Sequence, residues 1–220
     1  MTTVSNMASS EDTTAACGAS VAASAAHSGD RSAIATASTA PAAESLTFDF
    51  ARAGRADVRV ARIFNTYGPQ MRLDDGRVVS NMICQALLGD PLTIYGDGSQ
   101  TRSFCYVADM VDGLIRLMET DVRDMQPVNL GNPEEVSINE LCEVLGGMID
   151  HPLRLERRPL PVDDPRRRRP DITRTKSLLG WKPTTPLRTG LERTMSWFRL
   201  KLGGNSAHDT AAPRLRVALQ

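Results

Sequence analysis

Neither sign of charge is in excess in this chain: 26 Lys and Arg stand against 26 Asp and Glu, a formal net charge of zero at pH 7. Bulk charge therefore gives no pull toward nucleic acid or a membrane surface. Histidine is scarce, with three in 220 residues, and the four cysteines (Cys17, Cys84, Cys105, Cys142) lie far apart. Neither type shows ligand spacing, which speaks against a metal site such as zinc. The thiols read as reduced cysteines of a cytosolic type of protein. No apolar run approaches the roughly 18 residues of a membrane span. The length accommodates one domain, or one domain and a tail.

Large apolar residues are almost missing from the first 43 positions, where only Val4, Val21 and Ile34 are large aliphatics. Ala, Ser and Thr fill 28 of those 43 positions. Such a segment cannot bury enough surface to offset the entropy of ordering, and disorder is expected over 1–43. Glu11, Asp12 and Asp30 against a single Arg31 argue against a transit peptide. A loose tail is expected again over 203–220.

From Glu44 to residue 202 the patterning is globular. Leu46, Phe48, Phe50 and Ala51 suggest one side of a helix ending near Gly54, and Val58–Phe64 reads as a buried strand. A helix over Val78–Leu88 is stopped by Gly89 and Pro91, and Leu92–Tyr95 is a short strand before the Gly96-Asp97-Gly98 turn. Phe104–Val107 suggests a strand and Asp109 the start of a helix, where a carboxylate suits the dipole. Val128–Leu130 is a strand, and Ser137 with Glu140 spells a capping box. Leu153–Leu155 suggests a last strand, with helices over Ile172–Leu179 and Leu187–Leu200.

Four stretches in order carry a specific likeness. They are Arg62-Ile-Phe-Asn-Thr-Tyr-Gly-Pro69, Asp75-Gly-Arg-Val-Val-Ser80, Leu92 through Phe104 with Gln-Thr-Arg102-Ser, and Asp163 through Asp171 with Arg-Arg168-Arg-Pro. Together they resemble the C-terminal half of the extended short-chain dehydrogenase/reductase family that works on nucleotide sugars. Within that family they point to the UDP-glucuronate decarboxylase branch rather than to epimerases or dehydratases. The resemblance implies a fold made of the last part of a Rossmann-type parallel sheet plus a smaller nucleotide-sugar-binding domain, an α/β arrangement behind a disordered tail. It also implies NAD as cofactor, a UDP-sugar as substrate, homodimers and a cytoplasmic location. Membrane-anchored relatives occupy the Golgi, and this sequence shows no run of that kind.

The chemistry implied is oxidation of the sugar at C4 by NAD, with a Tyr-x-x-x-Lys pair taking the hydroxyl proton. The resulting β-keto acid loses carbon dioxide, and the NADH reduces the ketone to give UDP-xylose. A glycine-rich turn normally cradles the cofactor pyrophosphate at a helix N-terminus. No such turn occurs in the first half, and no Tyr precedes Tyr67. The family's spacing puts Thr36 at the tyrosine position and Ala40 at the lysine position, and neither can transfer a proton in that way. No catalytic residue is therefore assigned.

The residues expected to hold substrate are better represented. By resemblance Asn65 contacts the sugar–diphosphate backbone, with loop capping as the alternative. Thr66 and Arg77 border the cofactor. Val78 and Val79 offer backbone and apolar surface near the uracil, or simply start a helix. Thr93 and Tyr95 line the base, or are ordinary strand residues. Arg102 and Arg168 match the diphosphate-holding arginines, a task that suits guanidinium because it is always charged and can bond in parallel pairs. Asp171 matches the ribose-binding carboxylate. The alternative for Arg166–Arg169 is a solvated basic loop or an RNA contact, against which stands the lack of interleaved aromatics.

Two expectations follow from the missing cofactor half. The strand at Val58–Phe64 would carry an open, apolar edge, a solubility liability. Either the chain is a truncated or wrongly assembled gene product, inactive alone, or a partner completes the sheet. The matching alternative function is a non-catalytic nucleotide-sugar-binding or regulatory module that pairs with a full-length relative.

Overall fold

A computed structural model describes residues 22–24, 32–36, 41–121, 126–160 and 167–205. Strand β1 (Ala22–Ser24) pairs antiparallel with β2 (Ser32–Thr36), and helix α1 (Pro41–Arg52) leads into β3 (Asp57–Ile63). There follow β4 (Thr66–Tyr67), α2 (Val78–Leu88), β5 (Leu92–Tyr95), β6 (Thr101–Arg102), β7 (Cys105–Tyr106) and α3 (Val107–Glu119). Next come β8 (Val128–Leu130), β9 (Val136–Ser137), α4 (Ile138–Gly146) and β10 (Leu155–Arg158). The described part closes with β11 (Arg167–Arg168), α5 (Thr173–Leu179) and α6 (Leu187–Asn205).

The open edge expected for β3 is not found. β2 pairs with it in parallel from Ser32↔Asp57 to Thr36↔Ala61, and β8 flanks its other side from Ala61↔Val128 to Ile63↔Leu130. The sheet order is β1-β2-β3-β8. Val58 and Val60 pack with Phe48 of α1 on one face, while Ala61 joins Met110 and Leu117 of α3 on the other. A parallel strand covered on both faces usually reads as a continuous apolar run. β3 departs from that: Arg59 is buried within it, paired with Asp57 and donating to the Thr120 carbonyl at 2.9 Å. The ladder with Ser32–Thr36 falls inside the segment expected to be disordered. The rest of residues 1–40, and the tail beyond Asn205, lie outside the described residues.

Helix α1 corrects a second expectation. Phe48 is buried, but Leu46 and Phe50 are 59% and 46% exposed. Residues two apart on a helix point to nearly opposite sides, so 46, 48 and 50 cannot share one face.

The second core lies among α2, α4, α6 and β5, with Met82, Ile83, Leu92, Ile94, Leu141, Leu145, Leu191 and Phe198 buried. Each such side chain contributes about 1.5–3 kcal/mol on leaving water. Gly89 ends α2 at φ +73, a conformation that a Cβ would strain. Ser137 caps α4 with both bonds of the expected capping box to Glu140 in place. The remaining strands are short ladders that fix loops: β5 with β10, β4 with β7, and β6 between β11 and β9.

Candidate functional site

The site is built at the two-residue strand β6. Arg102 stands in register with Arg168 of the parallel neighbour β11, and with Val136 of the antiparallel neighbour β9. Arg102 is 8% exposed, so its stem is buried, and its Nη1 donates to the Thr101 carbonyl at 2.8 Å. Arg168 is exposed. Thr101 donates its hydroxyl to Glu135 at 2.8 Å, and the other oxygen of Glu135 lies 3.8 Å from Nη1 of Arg169. Three arginines and one carboxylate thus meet at one small sheet.

Asp171 follows directly. Its exposed carboxylate accepts from the Thr173 backbone N–H at 2.9 Å, and its own carbonyl accepts from Nδ2 of Asn129 on β8 at 2.9 Å. Hydrogen bonds from Thr173, and then the charge of Arg169, hold the carboxyl below the usual aspartate range. Pro170 is buried against the turn after β8, where a Cβ on Gly131 would sit 3.0 Å from Pro170 and 2.8 Å from Phe64. That close approach is why a glycine follows Leu130.

Asn65 lies just past the C-terminal end of β3, its side chain exposed and its carbonyl accepting from Cys105 N at 2.9 Å. Ligands of open parallel sheets bind outside the carboxyl ends of the strands, so the position suits the role expected for it. Thr66 and Arg77 are brought together: Nη1 of Arg77 donates to the Thr66 carbonyl at 3.4 Å. Arg77 also pairs with Asp75 at 3.3 Å, and the Thr66 hydroxyl donates to Phe64 O at 2.8 Å. Val78 begins α2 and is half-buried, whereas Val79 is 2% exposed and belongs to the second core. Only the backbone of Val79 is left for a ligand.

On β5, Gln85 of α2 holds Thr93 at both ends, donating to its hydroxyl at 3.0 Å and accepting from its N–H at 3.1 Å. Tyr95 is half-buried and faces Arg158 in the β10 register. Sequence reasoning passed over Gln85 and Glu135. An amide in the apolar C-terminal half of α2, and an acidic pair just ahead of a capped helix, were the available signals. Tyr67, the first tyrosine of the chain, is a core residue: it is 2% exposed, its hydroxyl donates to Leu187 O at 3.2 Å, and burial raises its phenol pKa. Thr36, at the family's tyrosine position, ends strand β2 rather than lying on a helix.

Among the described residues no group of three or more His, Cys, Asp or Glu could hold a metal ion. No described helix is long and apolar enough to cross a membrane.

Residues 37–131 match the model of the NAD dependent epimerase/dehydratase family. The chain is 52% identical over 169 residues to UDP-glucuronic acid decarboxylase 4 of Arabidopsis thaliana, covering 77% of this chain and 38% of the relative. It is 46% identical over 176 residues to UDP-glucuronic acid decarboxylase 1 of Danio rerio, covering 80% of this chain and 41% of the relative. It therefore spans less than half the length of these curated relatives. Among solved structures it resembles UDP-glucuronic acid 4-epimerase from Bacillus cereus, in complex with UDP-glucuronic acid and NAD. That likeness has a TM-score of 0.66 at 28% identity and covers 72% of this chain and 50% of that one.

Proposed function

We propose that this chain, whose residues 37–131 match the NAD dependent epimerase/dehydratase family, carries the nucleotide-sugar-holding half of a UDP-glucuronate decarboxylase-like reaction. The overall conversion is UDP-glucuronate to UDP-xylose and carbon dioxide. The observation that supports this reading most is the register of Arg102 with Arg168. Like charges opposite each other on neighbouring strands weaken a ladder, and a diphosphate seated on both reverses that sign. Asp171, its pKa lowered, stays ionised at neutral pH and offers acceptors to ribose hydroxyls. Asn65, at the carboxyl end of β3, offers an amide to the sugar–diphosphate. Thr93, fixed by Gln85, and Tyr95 offer a strand surface to the uracil, and the N-terminal backbone of α2 at Val78 and Val79 is the further surface the family resemblance assigns to it.

The cofactor fits this chain less well. When bound in the family, NAD supplies the hydride acceptor that makes the 4-keto sugar. Thr66 and Arg77 stand where the family borders that cofactor, but their polar groups are engaged with Phe64, Asp75 and each other. The sequence holds no glycine-rich turn for the pyrophosphate and no proton-transfer pair at Thr36 and Ala40. This chain's own residues bind and orient the substrate, and we assign them no redox step.

That last point favours a second reading, a non-catalytic nucleotide-sugar-binding or regulatory module that pairs with a full-length relative. Both readings share the UDP site. Calorimetric titration of UDP into the full chain tests it: binding is expected, weakened by Arg102→Ala and Arg168→Ala. Absence of UDP binding at millimolar concentration overturns both. Carbon dioxide release from UDP-glucuronate and NAD by the chain alone would decide for a self-sufficient enzyme. The cytoplasmic location and the homodimer rest on the family resemblance, and sedimentation measures the latter.

A further inference from the structure

Glu135 is the carboxylate seen at the arginine cluster, and it is more enclosed than Arg168 and Arg169. Its side chain is 17% exposed against 52% for Arg169, whose Nη1 lies 3.8 Å from it. Its other oxygen accepts the Thr101 hydroxyl at 2.8 Å. Thr101 is the first residue of β6, and Arg169 directly follows β11. One carboxylate therefore fastens the strand that carries Arg102 to the segment that carries Arg168. β11 is two residues long, and its ladder with β6 is correspondingly slight. Alone, such a ladder would pay the entropy of ordering a basic segment against like charge.

We propose that Glu135 is a positioning residue for the nucleotide-diphosphate site: through Arg169 it docks β11 on β6 and so presents Arg168 beside Arg102. The inference rests on the diphosphate reading of that pair. The charge of Glu135 is satisfied by Arg169 and Thr101, so it holds the segment without taking the place of the ligand. Glu135→Gln keeps an oxygen for the Thr101 hydroxyl and removes the ion pair. Arg169→Gln removes the same pair from its exposed end, where loss of fold is not expected.

Two readouts on the full chain test this, with UDP as the probe. Hydrogen exchange followed by mass spectrometry should show the peptides spanning Thr101–Arg102 and Arg167–Arg168 opening roughly two- to fivefold faster in either variant, the range an exposed ion pair supports. The double variant should open no faster than the single ones, because one interaction is lost once. UDP affinity should fall by a similar factor in both, while exchange in α2 and α6 stays as in the unmodified chain. Unchanged exchange at β6 and β11 in both variants overturns the clamp. Faster exchange with unchanged UDP affinity overturns the positioning role. If the unmodified chain binds no UDP, the diphosphate reading fails, and the exchange comparison still decides whether Glu135 docks β11.

Discussion

Arg168 stands opposite Arg102 across the parallel ladder of β11 on β6, although 66 residues separate them in sequence. Register partners on neighbouring parallel strands project to the same face. The two arginines therefore share a face although they differ in setting, one with its stem buried and the other exposed. A buried stem fixes the direction of a guanidinium, and an exposed one adapts to what arrives. A diphosphate, with two charged groups a few ångströms apart, suits such a pair.

Alanine at either position should weaken UDP binding strongly. Removing one partner of a desolvated charge pair costs on the order of 2–5 kcal/mol, or roughly 30- to several-thousand-fold in affinity. Arg168→Lys should recover only part of the loss, since it keeps the charge and forfeits the fork. Arg166→Ala, in a segment outside the described residues, should cost much less. Equal losses at 166 and 168, measured by calorimetry, would reduce the run to a diffuse basic patch.

Incubated with NAD and UDP-glucuronate, the chain alone should release no carbon dioxide above the buffer rate. Thr36 lies on strand β2 and Ala40 has no titratable group, so neither replaces a Tyr-x-x-x-Lys pair. For the same reason, and for want of a glycine-rich turn, a titration should find no micromolar NAD site. Labelled carbon dioxide from protein free of host enzyme would contradict the first statement, and saturable micromolar binding the second.

The helices were legible in the sequence because their signals are local. Val78–Leu88 begins and ends where the apolar pattern, Gly89 and Pro91 put it, and the Ser137–Glu140 box is in place. The two-residue ladders were not legible: β4, β6, β9 and β11 are too short to show a period of two, and only their partners define them. β2 was not read from the sequence because Ser32–Thr36 holds a single large apolar residue, Ile34, too few to show a strand period, and its pairing is defined by β3 beside it. The arginines could be chosen by resemblance to family motifs, but their register could not. Gln85 and Glu135 escaped because their meaning lies in what they touch, Thr93 in one case and Thr101 with Arg169 in the other.

The described thiols should be inert near neutrality. Burial pushes Cys84 and Cys142 up to about 11, and Cys105 to about 12, from an ordinary 9.0. Nearby Asp75 and Asp109 add to the rise at Cys84 and Cys105 respectively. Thiolate is the nucleophile, so iodoacetamide at pH 8 should modify these three far more slowly in the folded chain than in urea. The sign for stability follows. The folded chain keeps these thiols protonated where the unfolded chain ionises them, so their contribution is whole below pH 9. It is lost as pH rises from 9 toward 11–12, by up to about 1.4 kcal/mol per unit for each thiol. A urea midpoint that does not fall between pH 8 and pH 10.5 would contradict this.

Asp109 should prove a stability residue whose role exceeds the helix-dipole contribution its sequence position suggests. It is 8% exposed, and its carboxylate accepts from the Thr184 hydroxyl at 3.0 Å and the Thr185 N–H at 2.9 Å. Its carbonyl accepts from Nε1 of the buried Trp181 at 3.0 Å. These bonds tie the first turn of α3 to the loop entering α6, which brings Leu191 and Phe198 into the second core. Asp109→Ala keeps the Trp181 bond but strands a backbone N–H, at a cost of about 1–3 kcal/mol. For a protein of this size that corresponds to a Tm lower by about 2–12 °C. Asp109→Asn retains an acceptor oxygen and should lose less, and Thr184→Val, which removes one hydroxyl donor, less again. UDP affinity of the folded variants should be little changed, because none of these groups lies in the Arg102–Arg168 ladder. A Tm for Asp109→Ala within one degree of the unmodified protein would show that the loop is held by its apolar contacts, Trp181 foremost, and that the carboxylate is dispensable.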